Sequence, residues 1–211
     1  MNAIPRPKGR EAIKAWHRQK IIDATIEVIT TFGIAGTTIA KVVELADVSM
    51  GLVNSHFTSK DILLGQVLRQ MADEYKAHWR QRLEQASAQP VAQLSAMVQA
   101  DFDAEVMNLR TLGVWFAFRA QVRARPEYLE LVGMREREQL QKTVALFEAL
   151  NHEVHTPQDP VTLARLMSAL LEGFWTEYYL YPRDFDRDKS IAAVFTFLDA
   201  FYSGRFGLTS G

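Results

Sequence analysis

Apolar residues recur every three to four positions from Trp16 to Phe32, with Ile21, Val28 and Ile29 on one face. That period predicts an amphipathic helix, which Gly33 should end. The same periodicity continues through most of the chain, and no window of strand-like alternation competes with it. The pattern therefore predicts an all-α protein.

Two short helices are predicted next, over residues 39–46 and 50–56. Thr38 and Ser49 stand immediately before them. Both residue types are preferred N-caps, because a side-chain oxygen can accept a free N–H of the first turn. The segment LADVS joins the two helices, and its Asp47 tolerates the positive φ that a tight turn needs.

Longer helices follow. They are predicted from Thr58 or Ser59 to about Ala86, from Pro90 onward, and over 109–124, 127–151, 160–181 and 186–203. The polar stretch NHEVHTPQDP is predicted as a loop. About nine helices result. We expect a three-helix N-terminal domain over residues 1–62, including a basic arm over 1–15, and a helical bundle over 63–211.

The composition limits the possible chemistry. The chain of 211 residues contains no cysteine, which excludes disulfides, cysteine nucleophiles and thiolate metal sites and fits a reducing compartment. The basic N-terminus lacks the apolar core of a signal peptide, and no apolar run approaches the roughly 20 residues that span a bilayer. We therefore expect a cytoplasmic protein without a membrane partner.

The net charge of −1 hides an asymmetry along the chain. Residues 1–60 contain eight Lys or Arg and five Asp or Glu, so this part carries +3 and the remainder −4. Six of the eight bases lie in the first 20 residues. A basic end on a slightly acidic body suits a module that binds a polyanion, and equally a solvated tail.

A short helix, a tight turn and a second short helix form a helix-turn-helix pattern over residues 38–57. In that motif the second helix enters the major groove of DNA, and its N-terminal half meets base edges. Here an apolar stripe on the second helix of the motif can pack against the first helix of the chain. Its small and polar side chains remain available for bases. The predicted groove residues are Ser49, Met50, Gly51, Asn54, Ser55 and His56.

Phosphate contacts are predicted at the ends of the neighbouring helices. Thr37, Thr38 and Lys41 lie at the start of the second helix, and Lys60 lies near the N-terminus of the fourth, where free N–H groups attract anions. The alternative is a three-helix packing unit that binds no nucleic acid, but such a unit has no need of Lys60 beside an Asn-Ser-His edge.

The segment TTIAKVVELADVSMGLVNSHFTSKDIL resembles the TetR family of bacterial transcriptional regulators. The similarity covers residues 17–63 and includes the Thr-capped helix, Val48-Ser49, Gly51, Phe57 and Lys60. The resemblance implies a repressor that binds a double-stranded DNA operator as a homodimer, joined through its last two helices.

Three positions depart from the family pattern. Asp47 replaces a common glycine, Val43 replaces a common alanine, and Asn54 replaces a common tyrosine that usually contacts a phosphate. Asn54 is therefore open to reading a base instead.

The second half contains FDAEV at residues 102–106, LGVWFAFRAQ and LLEGFWTEYY, and these segments resemble the BetI branch of the family. That likeness implies a small-molecule effector in the bundle and suggests an aromatic cage with a carboxylate for choline or a related quaternary amine. The predicted ligand residues are Trp115, Phe118, Arg119, Glu172, Trp175, Tyr178 and Tyr179. The alternatives are an aromatic stripe that is only core, and an unrelated hydrophobic or aromatic effector.

Catalysis has little support. The sequence HEVH at residues 152–155 lacks the second histidine at i+4, and Asp101, Asp103 and Glu105 do not share a helical face. No Walker loop, dinucleotide fingerprint or nucleophile elbow occurs. We therefore expect no enzyme activity, no metal and no cofactor. A remaining rival is an all-α enzyme or assembly module that kept the N-terminal fold without binding DNA.

Overall fold

The computed structural model describes residues 8–207, except for the side chains of residues 132 and 134–136. Among these residues the regular secondary structure is helical, without a strand, and the all-α prediction is confirmed. Residues 1–7 of the predicted basic arm lie outside the described residues.

Nine helices occupy the described part of the chain. In chain order they are α1 (Arg10–Gly36), α2 (Ile39–Ala46), α3 (Met50–His56), α4 (Lys60–Gln85), α5 (Pro90–Phe102), α6 (Leu109–Arg119), α7 (Pro126–Val154), α8 (Pro160–Leu180) and α9 (Arg187–Tyr202). The predicted starts of α2, α3, α5 and α6 are confirmed, because each is set by a local cap or by proline in the first turn.

Three helices end more than one residue away from the predicted position. Gly33 bends α1 at φ 65° and ψ 174°, but the helix resumes as far as Gly36. The α6 helix stops at Arg119, and turns replace the predicted residues 120–124. The α7 helix continues to Val154 through the first four of the ten residues predicted as a loop, and His155 follows with a left-handed φ of 54°. Polar residues are common on an exposed helix, so a polar stretch does not by itself mark a helix end. The predicted end of α7 was therefore too early.

The chain divides into two compact units. The first unit contains the residues up to Met71 together with Gly113–Leu129. Within it α1 packs on α2 and α2 packs on α3, around the buried side chains of Ile21, Ile22, Val42, Val53, Phe57 and Leu64. An ion pair of 2.7 Å between Arg125 and Asp61 joins the second segment to the start of α4. The predicted domain boundary at residues 62 and 63 thus lies inside α4, whereas the packing divides after Met71.

The second unit contains Ala72–Leu112 and the residues from Glu130 onward. Here α9 packs on both α5 and α8, and the core includes Leu94, Met97, Phe102, Phe147, Leu163 and Leu198. The Tyr202 hydroxyl donates to Asn151 Oδ1 at 2.6 Å. Burial raises the pKa of Tyr202 to about 12, so this phenol stays protonated at neutral pH.

Candidate DNA interface and effector site

The helix-turn-helix is held by three local features. Thr38 Oγ1 accepts the Lys41 N–H at 3.3 Å, and Ser49 Oγ accepts the Leu52 N–H at 3.1 Å, so both predicted caps are confirmed. Asp47 takes φ 46° and ψ 59° in the turn, as its tolerance of a positive φ predicts. These contacts fix where α3 begins relative to α2.

The α3 helix has one docked face and one exposed face. Val53 is fully buried, and Phe57, just beyond the helix, is 3% exposed. The opposite surface carries small and polar side chains, with Met50 at 44% exposure. The exposed residues of this surface are Ser49, Met50, Gly51, Asn54 and Ser55. Five of the six predicted groove residues therefore share one open surface.

His56, the sixth predicted groove residue, is half-buried against α1. Its ring lies 6.5 Å from the ring of His17 and 6.2 Å from that of Phe57. Burial lowers the pKa of His56, and the neighbouring charges of His17, Lys14 and Arg18 lower it further. The half-exposed side chain thus lies at the junction of α1 and α3.

The predicted phosphate-binding residues occupy different environments. Thr37 is 1% exposed and its hydroxyl donates to Gly33 O at 2.8 Å, so its expected role as a phosphate contact is corrected to a structural one. Lys41 Nζ donates to Gly36 O at 2.7 Å and lies 4.0 Å from the centre of the Phe32 ring. Lys60 Nζ donates to Ile34 O at 3.3 Å.

The two lysines therefore contact carbonyls at the C-terminal end of α1, where the last helix carbonyls have no N–H of a following helical turn. An ammonium group has three N–H donors, so each lysine can hold a carbonyl and still meet a phosphate. Thr38 is exposed beside them.

The predicted effector residues are divided between the two units. In the first unit Trp115 and Phe118 are buried, Arg119 is half-buried, and the Phe118 ring meets Tyr128 edge to face at 5.2 Å. In the second unit Glu172 and Tyr178 are half-buried, Trp175 is buried, and Tyr179 is 39% exposed. The Tyr178 ring contacts Phe185 at 5.4 Å.

A cluster around Trp175 was missed by the sequence reasoning. Trp175 Nε1 donates to the backbone oxygen of Asp101 at 2.9 Å, and the Tyr75 hydroxyl donates to Asp101 Oδ1 at 2.5 Å. The Tyr75 and Trp175 rings stand at 86° to each other with centres 5.9 Å apart. Asp101 is only 3% exposed, so a carboxyl group lies buried beside two perpendicular aromatic rings.

A second polar cluster lies at the end of α5. Arg82 donates to both Asp103 carboxylate oxygens, at 2.7 and 2.5 Å, and His78 Nε2 lies 2.8 Å from Oδ2. Burial alone raises the pKa of Asp103, but the hydrogen bonds from Arg82 and His78 outweigh it and lower the pKa below its usual value. Across the described residues no group of three His, Asp or Glu side chains is arranged to hold a metal ion.

Comparison with known proteins identifies the family. Residues 21–67 match the bacterial regulatory proteins of the tetR family, and residues 90–203 match the C-terminal domain of BetI-type transcriptional repressors. The chain is a TetR-family regulator with a BetI-type C-terminal domain. This is a family of transcriptional regulators that bind DNA and small-molecule effectors, and it is not an enzyme family.

Relatives and solved structures match this chain over most of its length. The regulator BetI of Stenotrophomonas maltophilia (strain R551-3) is 30% identical over 195 residues, which cover 91% of this chain and 94% of the relative. A transcriptional regulator from Pseudomonas aeruginosa PAO1 superposes with a TM-score of 0.82 at 26% identity, covering 94% of both chains. A regulator from Saccharomonospora viridis, solved in complex with choline, has a TM-score of 0.78 at 18% identity and covers 88% of this chain and 96% of its own.

None of the helices in the described part of this TetR-family chain is both long and apolar enough to cross a membrane.

Proposed function

We propose that the exposed surface of α3 reads base edges in the major groove of the operator. The observation that supports this most directly is the division of α3 into a face docked by Val53 and Phe57 and an open face of small and polar side chains. Asn54 can bond an adenine with two hydrogen bonds, and serine can meet either kind of edge. Each good base contact should contribute about 1–3 kcal/mol of discrimination.

We propose that Thr38, Lys41 and Lys60 hold the DNA backbone beside this helix. All three lie in the first unit, around the C-terminal end of α1 and the starts of α2 and α4. Such contacts set the orientation of the protein on the duplex and carry little sequence information.

Two substitutions separate these roles, measured by gel shift against the DNA upstream of the gene. Lys60→Ala should weaken binding to all sequences and reduce the slope of log affinity against log salt by about one per contact. Asn54→Ala should change the base preference and leave the salt slope unaltered. Lys142→Ala, in the second unit, is the control for a lost positive charge. If both test variants kept affinity, preference and slope, the assignment of α3 to the groove would be wrong.

We propose a homodimer formed through α8 and α9. Exposed small and apolar residues recur on α8 at alternating spacings of four and three, at Thr162, Leu166, Ala169, Gly173, Thr176 and Leu180. Ala193, Thr196 and Ala200 form a similar exposed row on α9. Leu166 is 43% and Leu180 58% exposed, which is costly for leucines in water. A seam with this period suits helix packing across a twofold axis.

The dimer matters for function because one α3 helix reads few base pairs. Two copies of α3, about one DNA turn or roughly 34 Å apart, would read both halves of an operator. An effector that favours another spacing would lower affinity, and a coupling of about 1–3 kcal/mol is typical. A light-scattering mass of twice the 24.0 kDa chain supports this arrangement, and a monomer at working concentration refutes it. We propose that the protein represses transcription and that it does so in the cytoplasm.

We propose choline or a related quaternary amine as the effector, bound at the corner formed by Tyr75, Asp101 and Trp175. Perpendicular aromatic rings offer negative π faces to a cation, and a buried carboxylate adds charge complementarity. The solved choline complex of a regulator with the same fold supports this ligand class. The alternative is an unrelated hydrophobic or aromatic effector near Trp115 and Phe118, which are buried in the first unit.

Titration calorimetry distinguishes the two effectors. Choline should bind the wild type, whereas its uncharged isostere, with a tert-butyl group in place of the trimethylammonium group, should bind more weakly. Asp101→Asn should reduce choline binding about tenfold or more, as the loss of one buried charge partner predicts. Glu177→Gln, an exposed position on α8, is the control. Absence of choline binding to folded wild type would refute the quaternary-amine proposal and leave the hydrophobic alternative.

A further inference from the structure

The first three turns of α1 precede its hydrophobic core. Residues 10–20 contain no fully buried side chain, and burial starts at Ile21. This stretch is rich in basic residues, of which Arg10 and Lys14 are exposed. An exposed basic extension contributes little to core packing, so its position beside the DNA-reading helix calls for an explanation.

The extension meets the C-terminal end of α3 through two histidines. The rings of His17 and His56 lie 6.5 Å apart at 63°, and both residues are half-buried. Trp16 packs on His17 at 5.0 Å. The guanidinium of Arg18 lies 5.2 Å from the centre of the Phe57 ring, immediately after α3. Histidines from two separate helices are thus held together at one edge of the predicted DNA surface.

The charges that act on His56 in the described part of the chain are basic. They come from Lys14, His17 and Arg18, all on α1, and they oppose protonation together with burial. The neutral form of His56 is therefore favoured in the free protein at neutral pH. A DNA phosphate at this edge would reverse the balance, because an opposite charge within about 4–6 Å favours the charged form.

We infer that His17 and His56 form a phosphate-binding pair that takes up protons when DNA binds. The inference rests on the proposed DNA-binding role of α3 and adds His17, which the sequence reasoning left out, to the interface. Lys14 and Arg18 supply permanent positive charge at the same edge, and the two imidazoles supply charge that depends on pH.

The sign of the pH dependence follows from proton linkage. The complex holds more protons than the free protein, so affinity rises as pH falls through the range in which histidine titrates. Between pH 7.5 and 6.0 we expect the affinity for DNA to rise about three- to tenfold, the gain produced when a phosphate raises a histidine pKa by about one.

The test measures DNA affinity against pH at constant ionic strength. The probe is a duplex of about 30 base pairs, or three helical turns, at low salt. His17→Gln and His56→Gln should each flatten the pH dependence, and the double variant should abolish it. His152→Gln, an exposed histidine of the second unit, is the matched control and should keep the wild-type slope. Calorimetry in two buffers of different ionisation enthalpy should show net proton uptake by the wild type and by the His152→Gln control, and none by the double variant.

Failure of the histidine inference and failure of the proposed DNA-binding role give different results. If the wild type binds the duplex and the double variant retains its pH slope, or if calorimetry detects no proton uptake, the histidine pair is not proton-linked and the inference is overturned. If the folded wild type binds no duplex at any pH, the DNA-binding role of α3 itself is refuted.

Discussion

Asp47 offers a direct test of how the turn between α2 and α3 positions the α3 helix. It is an exposed, non-glycine residue in the left-handed region, with φ 46° and ψ 59°. Its N–H bonds Glu44 O at 3.2 Å, the next N–H bonds Val43 O at 3.3 Å, and its own carbonyl accepts Lys20 Nζ at 3.4 Å. These backbone contacts end α2 and set the direction in which α3 begins.

The size of the effect follows from the backbone angles. A left-handed residue with a Cβ costs about 1–2 kcal/mol, and Asp pays less of this than most residues. Asp47→Gly should therefore stabilise the fold by up to about 1 kcal/mol, reduced by the greater entropy of glycine in the unfolded chain. Asp47→Val should destabilise it by about 1–2 kcal/mol, because a β-branched residue fits this region poorly.

Asp47→Asn separates the backbone effect from the charge effect. Asparagine keeps the tolerance of a positive φ and removes the negative charge. In urea unfolding the Gly variant should be the most stable and the Val variant the least stable, with the Asn variant and the wild type equal between them. In a gel shift the Asp47→Gly and Asp47→Asn variants should both bind DNA more tightly than the wild type, because each loses a carboxylate close to the phosphates.

Equal stability of the Gly and Val variants would refute the reasoning, since it would mean that residue 47 is not held in the left-handed region. Equal DNA affinity of the wild type and the Asn variant would show that the turn lies away from the phosphates.

Three further predictions concern the second unit and the start of α7. Gly173→Glu should convert the proposed dimer to a monomer in light scattering by placing a carboxylate in the proposed seam of both chains, whereas Ser168→Glu, exposed but off that seam, should not. Asp103→Asn should cost about 1–2 kcal/mol at pH 7 in urea unfolding, allowing for solvent around Arg82, which is 40% exposed. The lowered pKa of Asp103 implies that this difference begins to shrink as pH falls below about 4, where the carboxylate of the unfolded chain takes up a proton. It is lost once pH falls through the lower pKa of the folded state. Tyr128→Phe should leave stability unchanged or raise it by about 1 kcal/mol in thermal unfolding, because the buried Tyr128 hydroxyl has no hydrogen-bond partner among the described residues.

Local features were predictable because their causes lie within a few residues. Thr38 and Ser49 cap helices whose N–H groups lie three residues away, and Asp47 takes an angle that depends mainly on its own side chain. The periodic apolar positions likewise identified helices whose buried faces follow from the helical repeat. The helix-turn-helix was therefore readable without coordinates.

Side-chain environments were predictable only where sequence neighbours create them. Thr37 and Thr38 are adjacent and chemically identical, yet one is buried against Gly33 and the other is exposed. The Thr37 hydroxyl donates to Gly33 O of α1, whereas Thr38 caps the exposed start of α2. His56 faces α1 for a similar reason, since only the packing of two helices places it beside His17.

The helices and their caps follow from the local sequence, because they depend on hydrogen bonds within one or two turns. Tertiary structure alone decided the Asp101 cluster, whose contacts with Tyr75 and Trp175 join residues 26 and 74 positions apart. A buried carboxyl group is tolerated only where its neighbours satisfy it, and those neighbours come from other helices. No local pattern carries that information, because the free energy of such a site is set by segments that meet only in the folded chain.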